Sequence, residues 1–208
     1  MSTQDKKASK RQRLKEARAA HILAAAARVF ARNGYQKATT REIAAEAGVA
    51  EGTIYNYFKS KRELLFTMSS RLAMDSLREV EALPPMESER EYVTALVTSR
   101  FEVVLKNIDL VRALMPEVIV DDDFRQEYMD KVLAPAINYL AGYIRSRTKA
   151  GTFRTVEPEI IARAMIGAVM SFGLLWLQQG TELHKRSRQE LVSELVGFFL
   201  DGLRVRPV

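Results

Sequence analysis

The chain has 208 residues, 47% of them hydrophobic and 28% charged, which excludes a disordered chain and leaves enough apolar surface for a substantial core. It contains no cysteine and only two histidines, His21 and His184, which excludes disulfides, thiolate zinc sites and histidine-rich metal centres and leaves little from which to build a hydrolytic triad. Its net charge of +6 divides unevenly: residues 1–62 carry 14 Lys and Arg against 5 Asp and Glu, a net of +9, and residues 63–208 carry 18 against 21, a net of −3.

That split describes a basic head on a slightly acidic body, and a basic head is suited to a polyanion. The basic N-terminus is not followed by the apolar stretch and small-residue cleavage site of a signal peptide. The longest uncharged apolar run, Ala164 to Leu177, is short of the ~18 residues of a spanning helix. No membrane partner is expected, and a cysteine-free chain suits the cytoplasm.

Taken in order, the segments are helical and the expected fold is all-α, with about nine helices. Residues 1–15 form a basic flexible tail, and Lys6, Lys7, Lys10, Arg11, Arg13 and Lys15, with Arg18 just beyond it, make either a solubilising leader or an arm that follows phosphates or enters the minor groove. The first helix is expected from Glu16 to Asn33, with Ile22, Leu23, Ala26, Val29 and Phe30 on its apolar face and Gly34 closing it. Ser or Thr with Glu three positions on marks four of the expected helix starts: Thr39 with Glu42, Ser60 with Glu63, Ser88 with Glu91, and Ser187 with Glu190. At that spacing each side chain can satisfy a free amide of a helical first turn. Helices are therefore expected from Thr39 to Ala47, Glu51 to Tyr57 and Ser60 to Ala82, the last stopped by Pro84-Pro85. Five more follow, near 88–105, 108–119, 122–149, 157–178 and 187–204, with Pro116 and Pro135 expected to break or kink two of them.

Residues 39–61 carry the decisive pattern. Ile43, Ala44 and Ala47 make a small apolar face that a second helix can cross closely, Gly48 supplies a permissive turn, and Val49 and Ile54 plug the gap. The opposite face of the second helix is left free, with Glu51, Thr53, Tyr55, Asn56 and Tyr57, groups suited to base edges and phosphates. This is a helix-turn-helix.

Phe30, Gly34, Thr39-Thr40, Ile43-Ala44, Ala47-Gly48-Val49, Ile54-Tyr55, Tyr57-Phe58, Lys61 and Leu64 resemble the N-terminal signature of the TetR family of transcriptional regulators, over about residues 15–65. The resemblance implies a helix-turn-helix DNA-binding domain at 16–61 and an effector-binding and dimerisation domain at 62–208. It implies that Thr40 contacts phosphate, that Ala50, Gly52, Thr53, Tyr55, Asn56 and Tyr57 face the major groove or its walls, and that Lys61 grips phosphate. Glu51 departs from the family pattern: its carboxylate either accepts from cytosine N4 or points away and lowers non-specific affinity.

In the body, Ile161, Met165, Ala168, Val169, Phe172 and Trp176 form one helical stripe, and Leu191, Leu195, Phe198, Phe199 and Leu203 form another. Met165, Ala168, Val169, Phe172, Trp176, Leu195, Phe198 and Phe199 are the candidate seam of a homodimer. Phe101, Met115, Met129, Tyr139, Tyr143 and Met170 are candidate walls of a pocket for a largely apolar small molecule. Arg100, Arg112 and the run Asp121-Asp122-Asp123 are either polar anchors or solvated surface. No cofactor and no metal is expected.

The expected function is a ligand-responsive repressor that binds a palindromic operator in double-stranded DNA as a homodimer, with the helix from Arg62 to Ala82 as lever. The alternatives are a sequence-tolerant architectural DNA binder, or an enzyme using the helical pocket.

Overall fold

The computed structural model describes residues 3–176 and 186–204, with side chains for 10–174 and 186–204. His184 and the side chains of Lys6, Lys7 and Trp176 lie outside the described residues. Ten α-helices are present among the described residues: α1 Thr3–Asn33, α2 Thr40–Glu46, α3 Glu51–Tyr55, α4 Lys61–Glu81, α5 Glu89–Lys106, α6 Ile108–Val120, α7 Asp122–Tyr128, α8 Ala134–Lys149, α9 Pro158–Trp176 and α10 Arg188–Leu203. The all-α expectation holds. No described helix is long and apolar enough to cross a membrane.

The caps act as their spacing predicts, in two versions. Thr39 and Ser187 make complete capping boxes, each hydroxyl accepting from the amide of its Glu and each carboxylate accepting from the cap amide. Ser60 and Ser88 accept from the amides of Glu63 and Glu91, but those carboxylates reach one residue further back, to the amides of Lys59 and Glu87. Each cap is worth ~1 kcal/mol of helix stability.

Two expectations are corrected, and the break expected at Pro135 is met. α1 begins at Thr3 and not Glu16, because residues 3–16 are rich in Lys, Arg and Gln, hold no Gly or Pro, and add a Gln12–Glu16 hydrogen bond of 2.7 Å one turn apart. Pro116 sits inside α6 without ending it. The 122–149 segment is split by a π-helical turn, Met129–Leu133, which delivers Pro135 to the start of α8, where its missing N–H costs no hydrogen bond.

The chain divides into two compact units. The first runs to Arg71 and also takes in Asp109–Phe124, so it is larger than the 16–61 head read from the sequence. Its core joins Ile22, Ala26, Val29 and Phe30 of α1 to Ile43, Ala44, Ile54, Phe58, Leu64 and Leu65, all buried. The second unit comprises Leu72–Ile108 and the chain from Arg125 onward. Here α5, α8, α9 and α10 enclose Val93, Val97, Phe101, Leu140, Ile144, Ala162, Met165, Val196 and Leu200. A Cβ on Gly173 would stand 2.6 Å from Val104 Cγ1, so the close approach of α9 to α5 requires glycine. A single antiparallel bridge, Phe153 with Arg204, ties the α8–α9 loop to the end of α10.

Candidate nucleic-acid interface

The site is built from α2, the turn at Gly48 and α3. Gly48 adopts φ +60°, a left-handed conformation that a side chain would strain, and this reverses the chain between the helices. Ile43 and Ile54 are fully buried between them, and Ala44 and Ala47 are nearly so. Packing that face leaves the other outward: Ala50, Gly52, Tyr55 and Asn56 are exposed, and Thr40, Glu51, Thr53 and Tyr57 are half-buried.

The outward face carries a hydrogen-bond chain. Thr40 Oγ1 donates to Glu51 Oε1 across 2.7 Å and lies 3.2 Å from Tyr55 Oη, while Arg41 Nε stands 3.7 Å from Glu51 Oε2. The Glu51 side chain thus turns toward α2 in this structure.

Beside α3, the N-terminal half of α1 forms one wall of a cleft of about 1040 Å³. Arg11, Lys15 and Arg18, at helical spacings of four and three, line it opposite Thr53, Asn56 and Tyr57. The basic residues of α1 and the residues of α3 and the turn that follows it therefore share one concave surface, shaped and charged for a polyanion.

Lys61 is placed differently from the expectation. Its ammonium donates to the carbonyls of Tyr35, Gln36 and Ala38 at 2.7, 3.2 and 3.0 Å, and sits 4.5 Å from the Tyr35 ring centre. In this structure its three donors are taken up by those three carbonyls. Burial draws its pKa below the usual lysine range and lifts the neighbouring Tyr35 hydroxyl to about 12.

Asp121, open in the sequence between polar anchor and solvated surface, is an anchor within the first unit. Arg62 Nη2 donates to its carboxylate, Gln36 Nε2 donates to Glu117 across 3.3 Å, and the edge of α6–α7 is thereby tied to the first unit. An acidic run offers no sign of its partner when that partner lies dozens of residues away.

The remaining candidates divide as follows. Met115 belongs to the first unit, whereas Phe101, Met129, Tyr139, Tyr143 and Met170 belong to the second, and Phe101 is fully packed core. Only Tyr143 of these lines the described cavity of the second unit, about 420 Å³, with Pro84, Pro85, Glu89, Tyr92 and Arg147. Tyr92 and Tyr139 share a 2.9 Å hydrogen bond, and burial raises the pKa of Tyr92 and Tyr143. Arg100 pairs with Glu79 at 3.9 Å and Arg112 with Asp109 at 3.5 Å. Of the candidate seam, Met165, Val169, Leu195 and Phe199 are buried in the chain's own core, Ala168 and Phe172 are half-buried, and Phe198 is 75% exposed. Ile160, on the neighbouring α9, is 64% exposed.

Residues 22–68 match the family described as bacterial regulatory proteins, tetR family, and residues 91–202 match the AefR-like transcriptional repressor C-terminal domain. The chain is 26% identical over 146 residues to the fatty acid metabolism regulator protein of Bacillus subtilis, covering 70% of this chain and 75% of that one. It is 26% identical over 195 residues to the HTH-type transcriptional repressor KstR2 of Rhodococcus jostii, covering 91% and 92%. Its fold resembles that of the transcriptional regulator FadR from Bacillus subtilis in complex with stearoyl-CoA, with a TM-score of 0.70, 21% identity, and coverage of 88% and 97%.

Proposed function

Because the chain belongs to the TetR family of bacterial regulatory proteins, we propose that it is a ligand-responsive transcriptional repressor that binds operator DNA in the cytoplasm. The observation that carries this reading is the concave surface on which the outward face of α3 meets the Arg11, Lys15 and Arg18 stripe of α1. A short helix of polar and aromatic side chains reads base edges, and cations on an adjoining helix neutralise phosphates.

Operation as a homodimer is supported by the exposed apolar residues of the second unit, Phe198 on α10 and Ile160 on α9, and by Gly167 on α9, where an added Cβ would meet open space. Symmetry-related heads would then meet successive major grooves, ~34 Å apart. An effector with a long apolar portion is supported by the Met- and aromatic-bearing helices of the second unit and by relatives named for fatty acid metabolism. Such an effector acts by favouring a head spacing that no longer fits the grooves, α4 being a helix that runs from one unit into the other. The named relatives are regulators, which supports a regulatory rather than catalytic role for this chain.

The test is titration of the full chain against duplexes from its own upstream intergenic region and against scrambled duplex, over a salt series. Saturable binding to the intergenic duplex, at least a hundredfold tighter than to scrambled sequence and weakened by salt, is expected. Replacing Arg11, Lys15 and Arg18 singly by Ala lowers the salt slope by about one each. Equal affinity for scrambled duplex overturns operator recognition in favour of sequence-tolerant binding.

A further inference from the structure

Glu51 is the only charged residue of α3, and it stands on the face turned outward from the head. Its carboxylate takes the single hydroxyl hydrogen of Thr40 across 2.7 Å. With that hydrogen committed, the 3.2 Å contact between Tyr55 Oη and Thr40 Oγ1 is donated by Tyr55. The hydroxyl hydrogens of Thr40 and Tyr55 therefore run in relay toward one carboxylate, from Tyr55 to Thr40 to Glu51. The guanidinium of Arg41, 88% exposed and otherwise free to swing toward an anion, is drawn to the second carboxylate oxygen. A phosphate oxygen is an acceptor, and this state offers it hydroxyl lone pairs and a like charge.

We propose that Glu51 is a specificity latch: it occupies the phosphate-binding donors of the α2–α3 face in the free protein and releases them on a duplex that presents an amino group to it in the major groove. The inference rests on the reading of this face as a DNA-binding surface. In the major groove the donors are the amino groups of cytosine and adenine, and a carboxylate is matched to cytosine N4. On such a site Glu51 exchanges Thr40 for the base, and the hydroxyls of Thr40 and Tyr55 turn to phosphate. On another duplex the latch stays shut and the phosphate contacts go unmade, or it opens and leaves a carboxylate facing guanine or thymine acceptors, unpaired. In both cases binding weakens. One charge thereby makes contacts that carry no sequence information depend on sequence.

Full-length wild type and Glu51→Ala are each used to select duplexes from a randomised pool. Both are then titrated against the selected and scrambled duplexes, with Thr40→Val added in each background. The latch requires Glu51→Ala to bind scrambled duplex roughly tenfold more tightly than wild type, the ratio of one charge-assisted contact regained. It also requires loss of a cytosine preference at one position per half-site, and disappearance of the gain when Thr40→Val is added. Glu51→Gln, which keeps the side-chain size, should also lose the preference and bind scrambled duplex more tightly, and it decides the matter if the alanine variant does not fold. Unchanged or weaker binding to scrambled duplex, a retained base preference, or a gain that survives Thr40→Val overturns the latch and leaves the DNA reading standing. A wild type that selects no sequence from the pool overturns the DNA reading itself, and the latch with it.

Discussion

Arg62 on the first turn of α4 donates to Asp121 across 2.7 Å, and the same carboxylate oxygen accepts from the amide of Phe124 at 2.9 Å. One oxygen thus starts α7 and holds the α6–α7 edge to the first unit. Arg62 adds a stacking contact, its guanidinium 5.0 Å from the Phe124 ring centre, and Phe66 meets the same ring edge-on at 5.8 Å.

Asp121→Ala is expected to cost more than Arg62→Ala, since it removes a helix cap as well as an ion pair. The cap is worth ~1 kcal/mol. The ion-paired side chains are 39% and 35% exposed, so solvent screening holds the pair itself to about 0.5 kcal/mol. Urea unfolding of the two variants and of the double variant measures both terms. Equal losses for the two single variants show that the cap contributes nothing.

Lys61→Met separates two roles for one cation. If its work is to tie together the carbonyls of residues 35, 36 and 38, the variant loses about 2 kcal/mol of stability and, where it remains folded, keeps the salt slope of DNA binding. A slope lower by about one with stability intact identifies a phosphate contact.

Phe198→Glu is expected to convert a dimer to a monomer without unfolding it, because the ring is 75% exposed in the single chain. Phe199→Glu, at the adjacent and buried position, is expected to unfold the second unit, since an unpaired carboxylate there has no partner in an apolar core. Sedimentation equilibrium and far-ultraviolet circular dichroism of the two proteins check this, and a Phe198→Glu protein that still sediments as a dimer places the seam elsewhere.

Much of the fold was legible because it depends on neighbours in sequence. The hydroxyl-to-glutamate spacing announced four helix starts, and the period of Ile22, Ala26, Val29 and Phe30 announced the buried face of α1. The start of α1 at Thr3 is not legible in the same way, because residues 3–16 have helix propensity but no apolar period to mark a buried face. Leu195, Phe198 and Phe199 share one stripe by period, yet the first and third are buried at 7% and 6% exposure and the second is not. A stripe wider than its contact leaves an edge outside, and period alone does not say which edge.

By itself, then, the order of residues determined an all-α chain, a helix-turn-helix at 39–61 and the division of charge between head and body, since caps, turns and periodic faces act over a few residues. Only the tertiary structure decided that Lys61 serves carbonyls, that Glu51 faces Thr40, that Asp109–Phe124 joins the head and that Phe198 is left bare. Those outcomes depend on partners brought close by packing across long stretches of chain, where the distance between two groups is set by the core beneath them and not by the residues between them.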